Sequence, residues 1–517
     1  MSTNLQTLGR NFPTALPRAK DVTYSIQDPY AHVFDGAIGK TQVDPFKLVN
    51  EPVAAYAKMA KRWKKITALL GGTQTMREHD RDFLPQEPAE SDEAYANRRA
   101  RSVLFNMFEK AVDAMTGRPF AKAIELNGYS DGMRELADNI DLQGNNLDVF
   151  MRPRFKNGLA YGHTAIMIDH PKNTLRENTT LQHQREQNLR PYWVGVDATQ
   201  IIGWRGMFIN GVFTLTQVRI REKGTKDVGK WDVQEVERVR VLYQGSFELY
   251  EKNASNGKWE LVDQGQYVDA TGQPLTFVPF VFINFKPEGH LTSMPPLEGV
   301  ADLNINHWQA YSDLQNIIHV AQVPILYGSG FDEDKTFTVG TSRAITGPEG
   351  SSLQYVEHSG AAIEAGRKNL EDIENRAALL GAQVLAKKPG RMTATQKVIE
   401  TDTEISDLQA MVLLTEDSID TAFELTARWL GEDSGVVGQA DVFKDFGINM
   451  ADAQELAQLV TLRAQKQITQ QTLLEEFKRR GILMDSVDVE AEIKLTKTET
   501  PNMADLIGDE LDGEADE

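Results

Sequence analysis

Three polar residues lie close together in the sequence and are of types that bind metal ions: His163, Asp169 and His170. Imidazole nitrogens and carboxylate oxygens are common zinc ligands. The spacing of these three residues matches no standard zinc site, and polar residues at the edges of a β-strand account for them more simply. We therefore predict that they have structural roles and that they bind no metal.

A second candidate for metal binding is the acidic run Asp332, Glu333 and Asp334. Carboxylates bind divalent cations, but this run lacks the alternating ligands and the central glycine of an EF-hand loop, so a solvated turn is the better interpretation. The sequence also contains no glycine-rich phosphate loop, dinucleotide fingerprint, nucleophile elbow or paired-histidine zinc helix. We predict that the chain is not an enzyme and has no cofactor, although carboxylates distant in sequence can still assemble a site.

Composition restricts the function further. The chain has 517 residues, which is enough for two to four domains, and 41% of them are hydrophobic. It contains no cysteine, which excludes disulfides and thiolate metal sites and fits a reducing compartment. The formal charge of -20 argues against a general nucleic-acid binder, because phosphate contacts require cations. The most apolar run, residues 275–285, is too short to span a bilayer, so we expect no membrane contact.

The first half of the chain changes from helical to strand-like patterns. Residues 52–70 and 91–116 have helical spacing, and Ser91 is the predicted N-cap of the second helix. We predict that the basic cluster at residues 58–65 is a solvated face and that the arginines at 98–101 pair with acidic residues. Five short β runs follow, so the predicted fold class is α+β; the runs are residues 160–168, 212–220, 236–243, 246–250 and 277–285.

The most informative feature is the order of elements in the second half. A helix is predicted over 297–322, a small strand-like insert over 325–357, and a second helix over 366–386. A basic breaker at 387–391 leads into a long helix over 393–430, which would be about 55 Å long. Residues 432–497 are predicted to form a separate helical unit, in which Thr469 is the predicted N-cap of the helix that ends at Arg480. The acidic tail after residue 497 is predicted to be disordered.

The charges on these helices are uneven. No lysine or arginine lies between Lys286 and Lys335, or between Val398 and Ala427, although both stretches are rich in carboxylates. The carboxylates of interest are Glu298, Asp302, Asp313, Glu400, Asp402, Glu404 and Asp407. An acidic helix next to a basic loop suggests a protein surface that faces a polyanion without binding it tightly. From these residues alone, the preferred interpretation of the basic loop is an ordinary helix end. Lys387 and Lys388 complement the helix dipole, and Pro389 and Gly390 stop the helix.

This order of elements resembles that of tailed-bacteriophage portal proteins, the rings at one capsid vertex through which DNA passes. Local segments also resemble one portal subfamily, and their order over most of residues 50–480 is more specific than any single segment. The matching segments are residues 63–66, 69–73, 90–95 with Arg98, 101–102, 112–113 before Gly117, 304–314, Pro324 and 392–395.

The resemblance implies a portal-type α+β fold with a β-rich wing, long channel-lining helices, a small clip and a helical crown. The implied divisions are an arm and wing at 1–296, stem helix 1 at 297–322, the clip at 323–361, stem helix 2 at 362–386, a tunnel loop at 387–394, a long wing helix at 395–431, the crown at 432–497 and a disordered tail at 498–517.

The resemblance also implies a homo-oligomeric ring of about twelve copies in the virion, at the capsid portal vertex, assembled in the host cytoplasm. Its acidic wall would let double-stranded DNA slide without sequence reading, and Lys387, Lys388 and Arg391 would contact that DNA. The clip, with Phe331, Asp332, Glu333 and Asp334, would bind terminase and then a head-completion adaptor. Major capsid and scaffold proteins are further implied partners.

Two alternatives remain open from the sequence. One is a different ring or scaffold component of a virion, such as an adaptor, although adaptors are usually far shorter. The other is a cytosolic hydrolase that uses scattered carboxylates, which divalent-dependent turnover would reveal.

Overall fold

The computed structural model describes residues 49–171, 189–289, 291–322, 325–330, 348–356, 360–383, 406–432, 438–444, 453–479, 482–483 and 487–499. The chain forms two compact units. The first contains the described residues up to Ala57, Thr199–Phe280 and Trp429–Gly431. The second contains Lys58–Ala198, Val281–Arg428 and the described residues from Glu432 onward. The described elements are helices and mainly antiparallel strands, so the predicted α+β class is confirmed.

The N-terminal helices differ from the prediction in one respect. They are α1 (Ala54–Leu70), α2 (Gly72–Glu78), α3 (Asp92–Arg101) and α4 (Met107–Gly117). The predicted N-cap is present, because the Ser91 hydroxyl accepts a hydrogen bond from the Ala94 amide. The prediction of one continuous helix over 91–116 is wrong: α3 ends before Ser102, and the side chain of Asn106 caps a new helix by accepting from the Glu109 amide at 3.1 Å. Val103, in the break, is 51% exposed.

The strands that follow are short at the ends of the β-rich region and long in its middle. In chain order the next elements are β1 (Glu125–Asn127), α5 (Asp131–Asp138), α6 (Leu147–Tyr161), β2 (His163–Asp169), β3 (Tyr192–Asp197), β4 (Ile201–Ile209), β5 (Val212–Val228), β6 (Asp232–Tyr243), β7 (Ser246–Lys252), β8 (Trp259–Gln266), β9 (Phe280–Asn284), β10 (Pro287–Gly289) and β11 (Thr292–Ser293).

The first unit is built on a five-stranded antiparallel meander in the order β4-β5-β6-β7-β8. Its core contains Ile202, Val239, Val241 and Trp259. The three β runs predicted in this region are confirmed, but β5 and β6 extend well beyond them as a two-stranded ribbon. The apolar residues of β5 and β6 therefore predicted only the part of each strand that packs against the core, and not the exposed ribbon.

The second unit contains a three-stranded sheet in the order β3-β2-β9. The strand predicted from residue 160 begins only at His163, because Ala160 and Tyr161 complete α6 and Gly162 ends that helix with φ +98°. Such a left-handed cap favours glycine. Trp193 of β3 is 1% exposed and donates from Nε1 to the Thr426 hydroxyl at 3.0 Å, which anchors the sheet in the core of this unit.

The second unit also contains an antiparallel pair of helices joined through a β-ladder. They are α7 (Glu298–Ala321) and α8 (Ala361–Gln383), and between them β12 (Ile325–Ser329) pairs with β13 (Ser352–Val356). A Cβ on Gly299 would lie 3.3 Å from Cδ1 of Leu380, and one on Gly366 would lie 2.9 Å from Cδ1 of Leu314. The start of each helix therefore faces the end of the other. The predicted order of helix, β insert and helix is confirmed, and we call this element the helical hairpin.

The next helix is shorter than predicted. Helix α9 runs over Asp407–Leu430 and begins with a capping box: the Gln409 amide donates to the Ser406 hydroxyl at 3.2 Å, and the Ser406 amide donates to Gln409 Oε1 at 2.9 Å. The prediction of one continuous helix over 393–430 is therefore wrong at Ser406. Residues 393–405 lie outside the described residues. At 24 residues, α9 is about 36 Å long.

The C-terminal segment is only partly a separate helical region. Strand β14 (Gln439–Asp441) pairs antiparallel with β1, so residues just after α9 belong to the same sheet as residues 125–127. Three helices follow: α10 (Ala453–Ala464), α11 (Gln470–Arg479) and α12 (Val489–Glu499). The predicted cap Thr469 is confirmed, because its hydroxyl accepts from the Thr472 amide at 3.0 Å. Helix α12 continues through residues 498–499, which were predicted to be disordered.

Candidate functional site

The acidic residues at the start of α7 are paired with cations from α1. Nζ of Lys65 lies 3.0 Å from Oε1 of Glu298 and 2.5 Å from Oδ1 of Asp302, and Nε of Arg62 lies 3.8 Å from the other Glu298 oxygen. Partial burial acts to lower the pKa of Lys65, but the hydrogen bonds to Asp302 and Glu298 raise it above its ordinary value. The prediction that residues 58–65 form a purely solvated face is therefore wrong for Arg62 and Lys65.

Asp313, farther along α7, lies beside a buried arginine of α3. NH1 of Arg98 is 3.3 Å from Oδ1 of Asp313, while Nε and NH2 of Arg98 donate to the two carboxylate oxygens of Glu90 at 2.8 and 2.9 Å. The Arg98 side chain is 5% exposed. The hydrogen bonds from Arg98 hold the pKa of Glu90 below its ordinary value. The predicted arginine pairing is confirmed for Arg98, and also for Arg99, which pairs with Asp80.

The acidic residues of α9 divide into two groups. Asp407 lies in the first turn, where a negative charge stabilises the helix dipole. Two carboxylates in the middle of the helix face inward and bind the segment around β14. Oε1 of Glu416 accepts from the Val442 amide at 2.7 Å and from Nζ of Lys444 at 2.9 Å. Oδ1 of Asp420 accepts from the Ala440 amide at 2.8 Å.

The Asp420 carboxylate also accepts a hydrogen bond from the hydroxyl of Tyr129 at 2.5 Å. Burial first, and then this contact, raise the pKa of the Tyr129 hydroxyl. Glu416 is 4% exposed, and burial raises the pKa of its carboxyl group. Glu416 and Asp420 lie in the stretch between Val398 and Ala427 that has no lysine or arginine, so the sequence alone predicts that they belong to one acidic surface. At 100° per residue, Glu416 and Asp420 lie nearer than Asp417 to the buried apolar side of α9, which includes Val412 and Ile419. That position on the helix is the sequence signal that could have predicted their burial.

Most of the residues singled out for DNA and partner contact lie outside the described residues. They are Lys387, Lys388 and Arg391 of the tunnel loop, Glu400, Asp402 and Glu404 of the acidic wall, and Phe331, Asp332, Glu333 and Asp334 of the clip. Three residues of the predicted acidic wall lie on α7. Glu298 and Asp302 are one helical turn apart, and Asp313 follows farther along the same helix.

The three polar residues considered as metal ligands are not brought together. His163 is buried at the first position of β2, where its Nδ1 lies 2.7 Å from the hydroxyl of Ser293. Burial lowers the pKa of His163 to about 3, so the ring is neutral. Asp169 lies at the opposite end of β2, roughly 20 Å away along the strand. Among the described residues, no group of three or more histidine, aspartate or glutamate side chains is arranged to hold a metal ion.

Comparison with known proteins gives matches to one family model and to solved particles. Residues 296–430, which include the helical hairpin and all of α9, match the family described as "Domain of unknown function (DUF4055)". No curated protein matches this chain. No described helix has the length and apolar character needed to cross a membrane.

The structural similarities are to parts of gene transfer agent (GTA) particles. The chain is similar to a chain in the neck of an empty GTA particle computed with C6 symmetry, with 12% identity, a TM-score of 0.38, and coverage of 71% of this chain and 88% of that one. It is also similar to a chain in the virion of the native particle, with 11% identity, a TM-score of 0.37, and coverage of 80% and 91%.

Proposed function

We propose that this chain is a portal protein of a tailed bacteriophage, which assembles into a ring of about twelve copies at one capsid vertex. The ring would be a passive channel for packaging and ejection of double-stranded DNA. It would also be a docking platform for terminase and later for a head-completion adaptor, in contact with the major capsid and scaffold proteins. This role assigns no bond-making chemistry to the chain, because ATP hydrolysis would belong to the terminase.

The observation that carries the proposal is the helical hairpin. Two antiparallel helices, α7 and α8, lead to and from a small β-ladder, and α9 follows them in the chain. This order matches the stem, clip, stem and wing-helix order on which the sequence resemblance rests. A helical pair of about 36 Å with a β-ladder at its joined end is suited to line part of a channel and to present a docking tip.

The electrostatics of the proposed channel depend on which acids are free of partners. Glu298, Asp302 and Asp313 lie within 4 Å of arginine or lysine side chains, so their fields are partly cancelled by those cations. In this proposal Glu400, Asp402 and Glu404 also belong to the acidic wall that repels phosphates. In this proposal Lys387, Lys388 and Arg391 form a cationic constriction that centres the duplex through its backbone.

The experiment that tests the proposal is electron-microscopy class averaging of the purified chain, with native mass measured on the same sample. The expected result is rings of uniform copy number whose central hole admits a B-form duplex, which has a major groove about 12 Å wide. A chain that stays monomeric at high concentration and in the presence of scaffold protein would overturn it. In that case divalent-dependent hydrolysis would be assayed next.

A further inference from the structure

A cavity of about 270 Å³ lies between the first half of α6, the loop that precedes it and strand β3. Two aromatic side chains, Phe150 of α6 and Trp193 of β3, line it together with Arg154. A site for a drug-sized molecule usually measures roughly 300–1,000 Å³. This cavity is therefore of a size for one large side chain rather than for a cofactor.

The polar groups of the cavity favour an uncharged occupant. The lining contains one carboxylate, Asp141, and one guanidinium, Arg154, so its formal charge is zero. Asp141 already accepts hydrogen bonds from the Gln143 amide at 2.9 Å and from Nδ2 of Asn145 at 2.7 Å. Arg154 is already paired, because its NH2 lies 3.3 Å from Oδ1 of Asp197. Neither group requires a further counter-ion.

Two features of the lining match an indole ring. Pro153 has no amide hydrogen, so the carbonyl of Val149, which also lines the cavity, lacks its usual helical donor. An indole nitrogen is a donor only. Nε of Arg154 is buried without a hydrogen-bond partner among the described residues. The face of an aromatic ring accepts such N–H groups and attracts a guanidinium, and tryptophan does so best.

A matching side chain lies at the tip of the ribbon formed by β5 and β6. Strand β4 pairs with β5 only up to Ile220, and β7 pairs with β6 only from Arg238, so the ribbon beyond them has two strands. It extends to the pair of Val228 and Asp232, about 25 Å farther along β5. In the turn that follows, Trp231 is 87% exposed, more than any other large hydrophobic side chain of the described residues.

The other exposed aromatic side chains suit the cavity less well. Phe105 and Phe208 are 46% and 63% exposed, but neither has a hydrogen-bond donor on its ring. Tyr327 is 52% exposed and has a donor, but it lies in the middle of β12 rather than in a turn. Among these residues, Trp231 alone combines a donor with a position at the end of a projecting ribbon.

We propose that Trp231 of one copy of this chain inserts into the cavity beside Arg154 in the next copy. The proposal rests on the proposed ring function, since successive copies in a ring make head-to-tail contacts that use two different surfaces. Each chain carries one projecting side chain and one cavity, so the same contact can repeat from copy to copy. A tryptophan in a pocket that excludes water contributes much of the binding energy in many protein interfaces.

Removing the side chain or filling the cavity tests the contact. Trp231→Ala removes the inserted ring, and Val149→Trp fills the cavity from its own chain at a lining position that is 54% exposed. Each variant is expected to raise the concentration needed for ring assembly at least about tenfold. Phe208→Ala, near the tip of the β4–β5 hairpin, is the matched control and is expected to form rings normally.

Mixing the two variants gives a sharper result. The Trp231→Ala chain keeps its cavity and the Val149→Trp chain keeps its projecting tryptophan, so one contact can form between them and no second contact can follow. An equimolar mixture is therefore expected to give a dimer with one copy of each variant by native mass, and no ring. The dimer would also show that both variants are folded.

Cross-linking tests the contact directly, because the chain contains no cysteine of its own. Lys230→Cys lies next to Trp231, and Gln143→Cys lies at the exposed rim of the cavity. In rings, the double variant is expected to join into a ladder of linked copies on a denaturing gel after treatment with a short bismaleimide. Val212→Cys with Gln143→Cys is the matched control, since Val212 is 67% exposed at the tip of the other hairpin, and no ladder is expected.

The outcomes separate this contact from the portal function. Rings that form normally in both single variants, or in their mixture, would overturn the contact and leave the ring standing as a proposal. Rings of the Lys230→Cys and Gln143→Cys chain that give no ladder, or only a linkage within single chains, would overturn it as well. A wild-type chain that forms no ring under any condition would overturn the proposed function itself.

Discussion

Leu314 of α7 and Gly366 of α8 fix the register of the helical hairpin. Cδ1 of Leu314 occupies the space in which a side chain at position 366 would begin, since a Cβ there would lie only 2.9 Å from it. Leu314 is 5% exposed, so this methyl group has little room to move. The absence of a side chain at position 366 therefore allows the two helices to approach closely.

Gly366→Val is expected to destabilise the helical hairpin by about 2 kcal/mol, because a branched side chain must displace a packed leucine. Gly381→Ala on the same helix is the matched control. A Cβ at Gly381 meets nothing within 4 Å, so this change is expected to stabilise α8 by up to about 1 kcal/mol through helix propensity. Urea denaturation followed by circular dichroism measures both. Equal effects of the two variants would contradict the packing argument.

Arg98→Met is expected to cost about 3 kcal/mol of unfolding free energy, because it leaves the Glu90 carboxylate, whose side chain is 10% exposed, without its cation. Adding Glu90→Gln removes the stranded charge, so the double variant is expected to lose less than the sum of the two single variants. A double-mutant cycle in urea measures the coupling. Strict additivity would show that the pair does not interact energetically.

The same pair predicts a pH dependence. Hydrogen bonds from Arg98 hold the pKa of Glu90 below its ordinary value of 4.5, so this carboxylate contributes stability above that pH. The contribution is lost as pH falls through the lowered pKa of the folded state. The stability gap between wild type and Arg98→Met is therefore expected to narrow as pH is lowered from about 6 to about 3.5. A stability difference that stays constant or increases over this pH range would contradict the lowered pKa of Glu90.

Ser406→Ala is expected to destabilise the start of α9 by about 1 kcal/mol, since it removes the oxygen that accepts from the Gln409 amide. Hydrogen exchange should increase at the first-turn amides while the amides of the last two turns keep their protection. Ser406→Asp retains an acceptor and is the control. Unchanged exchange in the alanine variant would mean that the capping box is not formed.

Replacing Lys387, Lys388 and Arg391 by alanine is expected to change DNA retention or packaging while rings remain intact, because these cations are the proposed phosphate contacts. Lys58→Ala with Lys61→Ala removes exposed positive charge elsewhere and serves as the control. The measurement is DNA content of assembled particles together with ring formation by electron microscopy. Particles with unchanged DNA content in the triple variant would remove these residues from the proposed channel.

The sequence by itself determined the order of elements in the helical hairpin and three of the five strands of the meander, β5, β6 and β7. Periodicity sufficed there because each element buries one face against a neighbour, as Leu370 and Ile373 do in α8. Local chemistry likewise determined the caps at Ser91 and Thr469, since a cap involves only residues three apart.

Tertiary structure decided the interruptions and the partners of the charges. At the break after Arg101, the Leu104 amide donates to the hydroxyl of Thr73, which is thirty-one residues away, so no local pattern contains this partner. The same holds for Glu416, which reads as one more surface acid until Lys444 and the Val442 amide are folded against it. The same carboxylate side chain can be solvated at the surface or buried in an ion pair. The sequence therefore shows that the residue is acidic, but only the tertiary structure shows which residue it pairs with.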